Sequence, residues 1–434
     1  VTVDGTTASL YVNNLSPLTD NSFNSQNYTG LYIGHGEGNR EFTNGKIDQV
    51  RIYDKALSSS EVTTLYGETA SSNITISDLV AYYPMEGTSL DQEGSYHGTD
   101  TNVEYNYSGT ATNVTYQEAT NFTPDLVWIK SRNHANNHFL YDFVRGVNKA
   151  IYIQAEPEIT RSGVTSFDSN GFTLGSSNDM NLNGSTFVSW CFNAGTDAAA
   201  SNTDGTVTST VKANTDAGFS IATYTGVGYP NSTTATVGHG LNSAPELVII
   251  KKLDSTSPGN GYWVVGTKYA GSGWDGSMYL NSNGAYSNSI NYFWNGDPTD
   301  SLVKLKNDWF VNGNTSDYVM YSFHSVDGIQ KVGSYTGTGA AGNLIETGFE
   351  PAFVMIKRAD LSDNWLIFDQ PRDTALFPND SGAELSGYNG LLGFMSNGFS
   401  IDTTDNSMNS SVGTYIYLAI AADPDTTTPT VEDS

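Results

Sequence analysis

The stretch Pro124-Asp125-Leu126-Val127-Trp128-Ile129-Lys130 decides how this sequence folds, because the same pattern occurs three times in the chain. It returns as Pro245-Glu246-Leu247-Val248-Ile249-Ile250-Lys251 and again as Pro351-Ala352-Phe353-Val354-Met355-Ile356-Lys357. A pattern that returns at long intervals indicates a repeated structural unit. Each copy is a nearly unbroken apolar run behind a proline. This predicts a strand covered on both faces, with the proline where no ladder donor is needed.

Two further elements accompany each copy at a similar place. An asparagine precedes an apolar pair by six residues, at Asn181, Asn312 and Asn409. A Tyr-Ser/Thr-Gly motif stands upstream of the proline, at 107–109, 224–226 and 335–337. We therefore predict tandem β-sandwich-like repeats at residues 105–196, 219–327 and 329–423, in which Lys130, Lys251 and Lys357 are equivalent and the isoleucine before each lysine is buried.

The pattern between these motifs favours strands over helices. Short stretches rich in Val, Ile, Tyr and Phe alternate with Gly, Asn, Asp and Pro every 8 to 12 residues or so, as in sandwiches and barrels. Residues 58–66 are the exception, since Ser58 is available as an N-cap and Glu61 follows near the start of a helical turn. The prediction is an all-β protein with less than about a tenth of its residues in helix.

Composition excludes several functional classes. The chain has 434 residues, with 46 Asp and Glu against 19 Lys and Arg, a formal charge of −27. Nucleic acid is excluded as a partner, because phosphate contacts need clustered cations. Intrinsic disorder is not expected, because disordered chains are poor in aromatic residues and 12% of this chain is aromatic. No apolar run approaches the length of a membrane span. The single cysteine, Cys191, excludes an internal disulfide framework.

The first 70 residues carry a resemblance to a known fold. The stretch 44–66, which reads as a closing strand followed by a short helical turn, resembles the C-terminal half of a concanavalin A-like (laminin G-type) β-sandwich. Residues 75–104, beginning with Leu79-Val80-Ala81-Tyr82-Tyr83-Pro84, resemble the opening strands of the same family. We expect them to start a second, degenerate unit; the alternative is that they complete the first sandwich. Residues 424–434 form an acidic Thr/Pro tail.

The repeat region resembles a domain of unassigned function that follows laminin G-type modules in fibre and virion proteins of tailed bacteriophages. The resemblance implies a structural virion protein on the particle surface, either a tail fibre or another projecting fibre that adheres to host glycans. The alternatives are a capsid-surface decoration or head-fibre protein, and a non-catalytic carbohydrate-binding region of a secreted bacterial protein. We expect a homo-oligomer, with a trimer favoured, in contact with other virion proteins.

Catalytic patterns are missing from the sequence. The string Glu-x-Asp-x-x-Glu that glycosidases of the concanavalin A-like fold carry does not occur, nor does a Gly-x-Ser-x-Gly elbow. Asp142-x-x-Arg145 and Asp369-x-x-Arg372 recur in the outer repeats, while the middle repeat lacks the pair. We interpret them as ion pairs of the fold, although an acid and a cation facing a substrate is the alternative. The prediction is a protein that is not an enzyme.

Ligand sites have only weak candidates. Trp274 and Trp294 stand among Gly, Asn and Asp, the surroundings of an aromatic plane that stacks on a sugar, although burial would explain them equally well. His134 and His138 with Asp142 are ligand types, but their Asn-rich surroundings predict a loop and no metal site. No cofactor is expected. The laminin G-type resemblance leaves calcium as an alternative, with loop carboxylates as the candidate ligands: Asp20, Asp48 and Asp91.

Overall fold

The computed structural model describes residues 2–4, 7–10, 18–20, 50–66, 79–83, 122–153, 157–254 and 261–421. The chain divides into two compact units, Val1–Thr112 and Asn113–Ser434. The fold is all-β and 8% helical, which confirms the predicted class. In the described part of the chain, no helix is long and apolar enough to cross a membrane. Some predicted features lie outside the described residues: Asp48, Asp91, the motif 107–109 and the tail 424–434.

The first unit contains short antiparallel strands and one helix. Its elements are β1 (Thr2–Asp4), β2 (Thr7–Leu10), β3 (Leu18–Asp20), β4 (Val50–Tyr53), α1 (Ser59–Tyr66) and β5 (Leu79–Tyr83). Strands β1, β2 and β3 form one sheet in that order. Helix α1 starts with the predicted capping box, because the Ser58 amide donates to Glu61 Oε2 at 2.8 Å and the Glu61 amide donates to Ser58 Oγ at 3.3 Å. A salt bridge from Lys55 is the main cause that lowers the pKa of Glu61 to about 2.

The preference for a second, degenerate unit at 75–104 is wrong. Strand β5 pairs antiparallel with β4, and Val50 lies opposite Tyr83 while Ile52 lies opposite Ala81. Both strands belong to the same compact unit. The opening-type strand therefore pairs with the closing strand of the first sandwich, as the alternative interpretation expected.

The second unit contains the three repeats. The first repeat and the strands that follow it are β6 (Leu126–Ser131), β7 (Phe139–Asp142), β8 (Lys149–Tyr152), β9 (Ile159–Thr160), β10 (Val164–Asp168), β11 (Gly171–Leu174), α2 (Asn178–Asn181), β12 (Phe187–Phe192), β13 (Ala200–Asn202) and β14 (Ser209–Asn214). The second comprises β15 (Phe219–Thr225), β16 (Ala235–Gly238), β17 (Leu247–Lys252), β18 (Trp263–Thr267), a 3-10 turn (Gly273–Asp275), β19 (Met278–Tyr279), β20 (Leu302–Leu305), α3 (Trp309–Asn312) and β21 (Asp317–Phe323). The third comprises β22 (Gln330–Thr336), β23 (Asn343–Glu346), β24 (Pro351–Arg358), β25 (Trp365–Asp369), β26 (Arg372–Leu376), a 3-10 turn (Ser386–Tyr388), β27 (Leu392–Met395), β28 (Gly398–Ile401), α4 (Asn406–Asn409) and β29 (Thr414–Ala421).

Each repeat has one large antiparallel sheet with the proline strand in its interior. The sheet orders are β12-β6-β7-β8-β9, then β13-β14-β15-β21-β17-β18-β19, then β22-β29-β24-β25-β26. The proline strands β6, β17 and β24 therefore lie between the last strand of their own repeat and the strand that follows them. A smaller sheet lies in each repeat: β10-β11, β16-β20 and β23-β28-β27. The second large sheet also contains β13 and β14, which precede residue 219, the predicted start of the second repeat. They belong to this sheet because β14 pairs with β15.

Alternate residues of each proline strand enter two different cores, which explains their unbroken apolar sequence. In β6, Leu126 and Trp128 join a core that all three large sheets share, whereas Val127 and Ile129 join a core of the first repeat alone. The other two proline strands alternate in the same way. The isoleucines before the repeated lysines are buried as predicted, with 2% of Ile129 exposed and none of Ile250 or Ile356. Three sheets around one shared core form a ring with pseudo-three-fold symmetry.

The shared core is tightly packed. A cavity of about 20 Å³ lies in it, lined by apolar side chains from all three repeats, including Trp128, Ile249 and Met355. A space of that size could hold about one water molecule, and small cavities lined by apolar side chains stay dry. The ring interior is therefore a core and offers no room for a ligand.

In the second and third repeats, the repeated asparagine and tyrosine motifs hold a loop at one end of the large sheet. Asn312 Oδ1 accepts from the Val227 amide at 2.9 Å, and its Nδ2 donates to the Thr233 carbonyl at 3.0 Å. The hydroxyl of Tyr224 donates to the Val311 carbonyl at 2.6 Å. The third repeat makes the corresponding bonds through Asn409 and Tyr335. These residues recur because they hold the same loop against the same helical turn.

Candidate functional site

Asp142 and Arg145 connect the first repeat to the second. Arg145 Nε donates to Asp142 Oδ2 at 2.5 Å, and the hydroxyl of Tyr321, from the second repeat, donates to the same oxygen at 2.7 Å. Asp142 and Tyr321 are both buried. Burial is the main cause that raises the pKa of the Tyr321 hydroxyl, which keeps it a donor. The pair is part of a buried contact between repeats.

Asp369 and Arg372 form the corresponding contact between the third repeat and the first. Arg372 Nε donates to Asp369 Oδ2 at 2.8 Å, and Trp190 Nε1 of the first repeat donates to it at 2.9 Å. Glu384 Oε1 completes this contact, because it accepts from Arg372 Nη1 and from Arg132 Nε, each at 2.7 Å. These bonds close the ring between its first and last repeats.

The remaining contact, between the second and third repeats, has neither the aspartate nor the Tyr or Trp donor of the other two contacts. Strand register places Thr267 where the outer repeats have the aspartate, and Leu418 where they have Trp190 or Tyr321. Ala270 stands where they have the arginine. A buried carboxylate without a donor would be costly, so an apolar neighbour accompanies a neutral residue. This joint change favours the structural interpretation of the acid–arginine pairs over a catalytic one.

A second set of contacts follows the same ring. Trp263 Nε1 donates to the Tyr152 carbonyl of the preceding repeat, and Trp365 Nε1 donates to the Tyr279 carbonyl, both at 2.9 Å. In the first repeat His138 takes the place of these two tryptophans. Its Nδ1 accepts from Trp128 Nε1 at 2.9 Å. Its Nε2 makes no well-formed hydrogen bond.

His138 lies buried in the ring contact between two tryptophans. Complete burial is the main cause that lowers its pKa well below the usual value, so the imidazole is neutral. Its neighbours are the rings of Trp128 and Trp190. Within the described residues, no group of three or more His, Cys, Asp or Glu side chains could hold a metal ion. Of the calcium candidates, Asp20 ends strand β3.

The equivalent lysines Lys130 and Lys357 bind backbone where their strands end. Lys130 Nζ donates to the Ser131 carbonyl at 2.6 Å and Lys357 Nζ to the Arg358 carbonyl at 2.6 Å. Burial is the main cause that lowers the pKa of each amine to about 8. Both side chains are fully buried, which suits a role in holding the strand end.

The two tryptophans proposed from the sequence as sugar-stacking candidates do not form an exposed plane. Only 4% of Trp274 and 2% of Trp294 is exposed, and their rings pack edge to face at 5.1 Å. Trp294 Nε1 donates to Ser277 Oγ at 2.8 Å inside the second repeat. Both rings also pack closely against β18, because a Cβ on Gly266 would lie 2.5 Å from atoms of each ring. Neither ring can stack on a glycan in this structure.

Several of the large exposed apolar side chains lie near the end of a large sheet at which the proline strand of that repeat finishes. We call this end of each sheet its upper end. In the third repeat Leu361 follows β24, and Val412 precedes β29 in the turn beside it. These side chains are 56% and 81% exposed, and Leu344 nearby is 64% exposed. The first repeat is polar here, with Asn133 and His134 exposed.

In the second repeat the upper end is aromatic. Helix α3 begins with Trp309 and Phe310, both half-buried, and each carries an exposed tyrosine. The Tyr229 ring lies 4.6 Å from Trp309, and the Tyr262 ring lies 5.1 Å from Phe310. Tyr292, which is 50% exposed, packs on Phe293 behind them at 5.8 Å. We name the group Tyr229, Tyr262, Tyr292, Trp309 and Phe310 the aromatic surface.

Sequence reasoning missed the aromatic surface because its members come from separate segments. Tyr229 follows β15, Tyr262 precedes β18, Tyr292 lies in the connection before β20, and the other two begin α3. One signal was present: the outer repeats have Asn178 and Asn406 where α3 has Trp309, and polar residues follow. Two adjacent aromatic residues at this helical turn distinguish the middle repeat.

Comparison with known families covers nearly all of the chain. Residues 99–424, three quarters of its length, match the family described as a domain of unknown function, DUF7483. Residues 1–63 match the family described as the concanavalin A-like lectin/glucanases superfamily. No curated protein and no solved structure matches the chain. The N-terminal domain is therefore concanavalin A-like.

Proposed function

Because this chain belongs to the family of the domain of unknown function DUF7483, we propose its function from its own features: it is a projecting fibre subunit of a tailed-phage virion that adheres to host-surface glycans. The first support is the order of its domains, a concanavalin A-like domain followed by the repeat region, which resembles the order in phage fibre proteins. The acidic, weakly charged surface is consistent with a particle that stays soluble.

The aromatic surface is the observation that carries the adhesive part of this proposal. Large exposed apolar patches, especially those rimmed by polar residues, mark interaction sites on soluble proteins. In the described residues, the recurring polar groups that suggested chemistry in the sequence are engaged in holding the repeats together. The proposed protein is therefore a rigid, non-catalytic scaffold with a binding end.

Imaging of intact particles tests the location. An antibody raised against this chain is applied to purified virions and observed by negative-stain microscopy. We expect label on fibres that project from the tail or head. Label spread evenly over the capsid would favour the alternative of a decoration protein. Absence of label from particles, together with the chain in the culture medium, would favour the alternative of a secreted bacterial carbohydrate-binding region.

Oligomerisation is part of the proposal. We propose a homotrimer, because fibres are usually closed homo-oligomers. The described ring already closes within one chain, so trimer contacts would use surfaces outside the shared core. Light scattering of the purified chain is expected to give three times the 46.7 kDa chain mass. A monomer at every concentration would contradict a trimer formed by this chain.

A further inference from the structure

We propose that the aromatic surface is a binding site for a neutral oligosaccharide; this inference rests on the adhesive function proposed above and names its ligand. Sugar rings present C–H groups on one face and hydroxyls at their edges. An aromatic plane covers the first, and nearby amide groups bind the second. Both features are present at the upper end of the second repeat.

The aromatic surface is held rigidly before any ligand arrives. Asp308 caps α3 by accepting from the Phe310 amide at 2.8 Å, and the Trp309 carbonyl accepts from the Tyr318 hydroxyl at 2.6 Å. The ammonium group of Lys252 lies 5.2 Å from the centre of the Trp309 ring. A site that is fixed in advance loses little conformational entropy on binding. This favours direct stacking on the existing surface.

The site is extended, so it suits more than one sugar ring. Trp309 and Phe310 are consecutive residues, and each supports its own exposed tyrosine. Tyr262 also packs on Tyr279 at 4.7 Å, which continues the aromatic group beyond α3. A single sugar ring covers one aromatic plane, whereas a chain of several rings can contact Tyr229 and Tyr262 together. We therefore infer an oligosaccharide and not a monosaccharide.

Charge around the site favours a neutral ligand. The ammonium group of Lys252 is fully buried and lies 3.4 Å from Asp254 Oδ1. Lys306 Nζ donates to the Asn291 carbonyl at 2.6 Å. The half-buried carboxyl of Asp308 lies beside the aromatic rings. An anionic sugar would find engaged cations here and a repulsive carboxyl on a chain of net charge −27.

Amide side chains flank the rings where sugar hydroxyls would lie. Asn231 is exposed two residues after Tyr229. Asn314 lies beside Tyr229 as well, because its backbone amide donates to the Tyr229 carbonyl at 2.8 Å. Asn291 is exposed next to Tyr292. Aromatic rings bordered by amides can match a polar ligand that has one apolar face. A membrane would require a wider and uniformly apolar surface.

Calorimetry with defined sugars tests the proposal. The full chain is titrated with neutral tetrasaccharides of glucose, galactose and mannose, with the matching monosaccharides, and with an acidic tetrasaccharide that contains uronic acid. We expect at least one neutral tetrasaccharide to bind, more tightly than its monosaccharide and than the acidic probe. Tyr229→Ala and Tyr262→Ala should each weaken binding by roughly tenfold or more, as for central contact residues.

Phe143→Ala is the matched control. Phe143 is 42% exposed, against 44% for Tyr262, but it belongs to the first repeat and follows Asp142, at the other end of the sheet. Its removal should leave affinity unchanged, and thermal melting checks that all variants fold. Binding of none of the neutral tetrasaccharides, preference for the acidic one, or equal affinity in the tyrosine variants would each overturn the inference. Label on projecting fibres combined with any of those results would leave the virion location intact, so the two proposals fail separately.

Discussion

Replacing Tyr321 with phenylalanine removes one oxygen from the contact between the first and second repeats and leaves the ring of the side chain in place. The lost hydroxyl donates to Asp142 Oδ2 at 2.7 Å, and both residues are buried. Arg145 remains bound to the carboxylate. The substitution therefore measures what one neutral donor contributes to a buried carboxylate between repeats.

The expected loss follows from the charge of the acceptor. Hydrogen bonds to charged groups contribute about 1.5–3 kcal/mol, and a buried group that loses a partner costs a similar amount. The second unit has roughly 300 residues, and an unfolding entropy of about 2.1 cal/mol/K per residue converts this loss into a decrease of about 2–5 °C in the melting temperature. The aromatic packing of residue 321 against Trp263, whose ring centre is 6.5 Å away, is retained.

Differential scanning calorimetry of the wild-type chain and the variant at pH 7 provides the measurement. Tyr262→Phe is the control, because it also removes a tyrosine hydroxyl but on a side chain that is 44% exposed. The control should change the melting temperature by less than about 1 °C, as surface substitutions usually do. If Tyr321→Phe is as stable as the wild type, the acid–arginine pairs do not derive their role from the contact between repeats, and our structural interpretation of them is refuted.

Three further predictions concern charge and backbone strain. Burial opposes ionisation of Glu384, but hydrogen bonds from Arg132 and Arg372 lower its pKa below the usual value. The contribution of Glu384 to the free energy of unfolding should therefore be complete above about pH 4.5 and disappear as the pH falls through the folded pKa. In urea titrations, Glu384→Gln should weaken this loss of stability at acid pH. Burial lowers the pKa of Lys357 to about 8, so the folded state disfavours its charge; stability should rise from about pH 8 to 10.5, and Lys357→Met should flatten this rise. Val412 has φ 58° in the turn where the first repeat has Gly184 at φ 77°; Val412→Gly should stabilise by about 0.5–1 kcal/mol, and an unchanged or lower denaturation midpoint would contradict strain at this position.

The repeat architecture was predictable because its signals are local in sequence. The proline strands must alternate between two cores, and that requirement leaves an unbroken apolar run that can be recognised three times. The capping box of Ser58 and Glu61 is likewise a signal four residues long. The shared core was not predictable, since no local pattern shows that Trp128, Ile249 and Met355 face one another. The pairing of β5 with β4 was only the alternative interpretation for the same reason, because no local pattern fixes which strand a given strand will pair with.

The site was harder to predict than the fold. Glycine-rich surroundings suggested exposure for Trp274 and Trp294, but glycine also allows backbone to lie close against a buried ring, as Gly266 does here. Exposure depends on which neighbours cover a side chain, and those neighbours are distant in sequence. The tyrosines of the aromatic surface have ordinary surroundings in the sequence. They come together only in the fold, where Tyr229 and Tyr262 pack on α3 and Tyr292 packs on Phe293.

The three contacts of the ring indicate how this fold separates stability from binding. Two contacts use a buried carboxylate with a donor from the next repeat, and the third replaces them with Thr267 and Leu418. The positions that face a neighbouring repeat are therefore constrained in pairs, since a change on one side requires a change on the other. The exposed side chains at the upper ends of the described sheets differ from repeat to repeat: they are polar in the first, aromatic in the second and aliphatic in the third. Exposed side chains can differ in this way without changing the buried contacts, which is why we place the binding function on the exposed aromatic side chains of the second repeat.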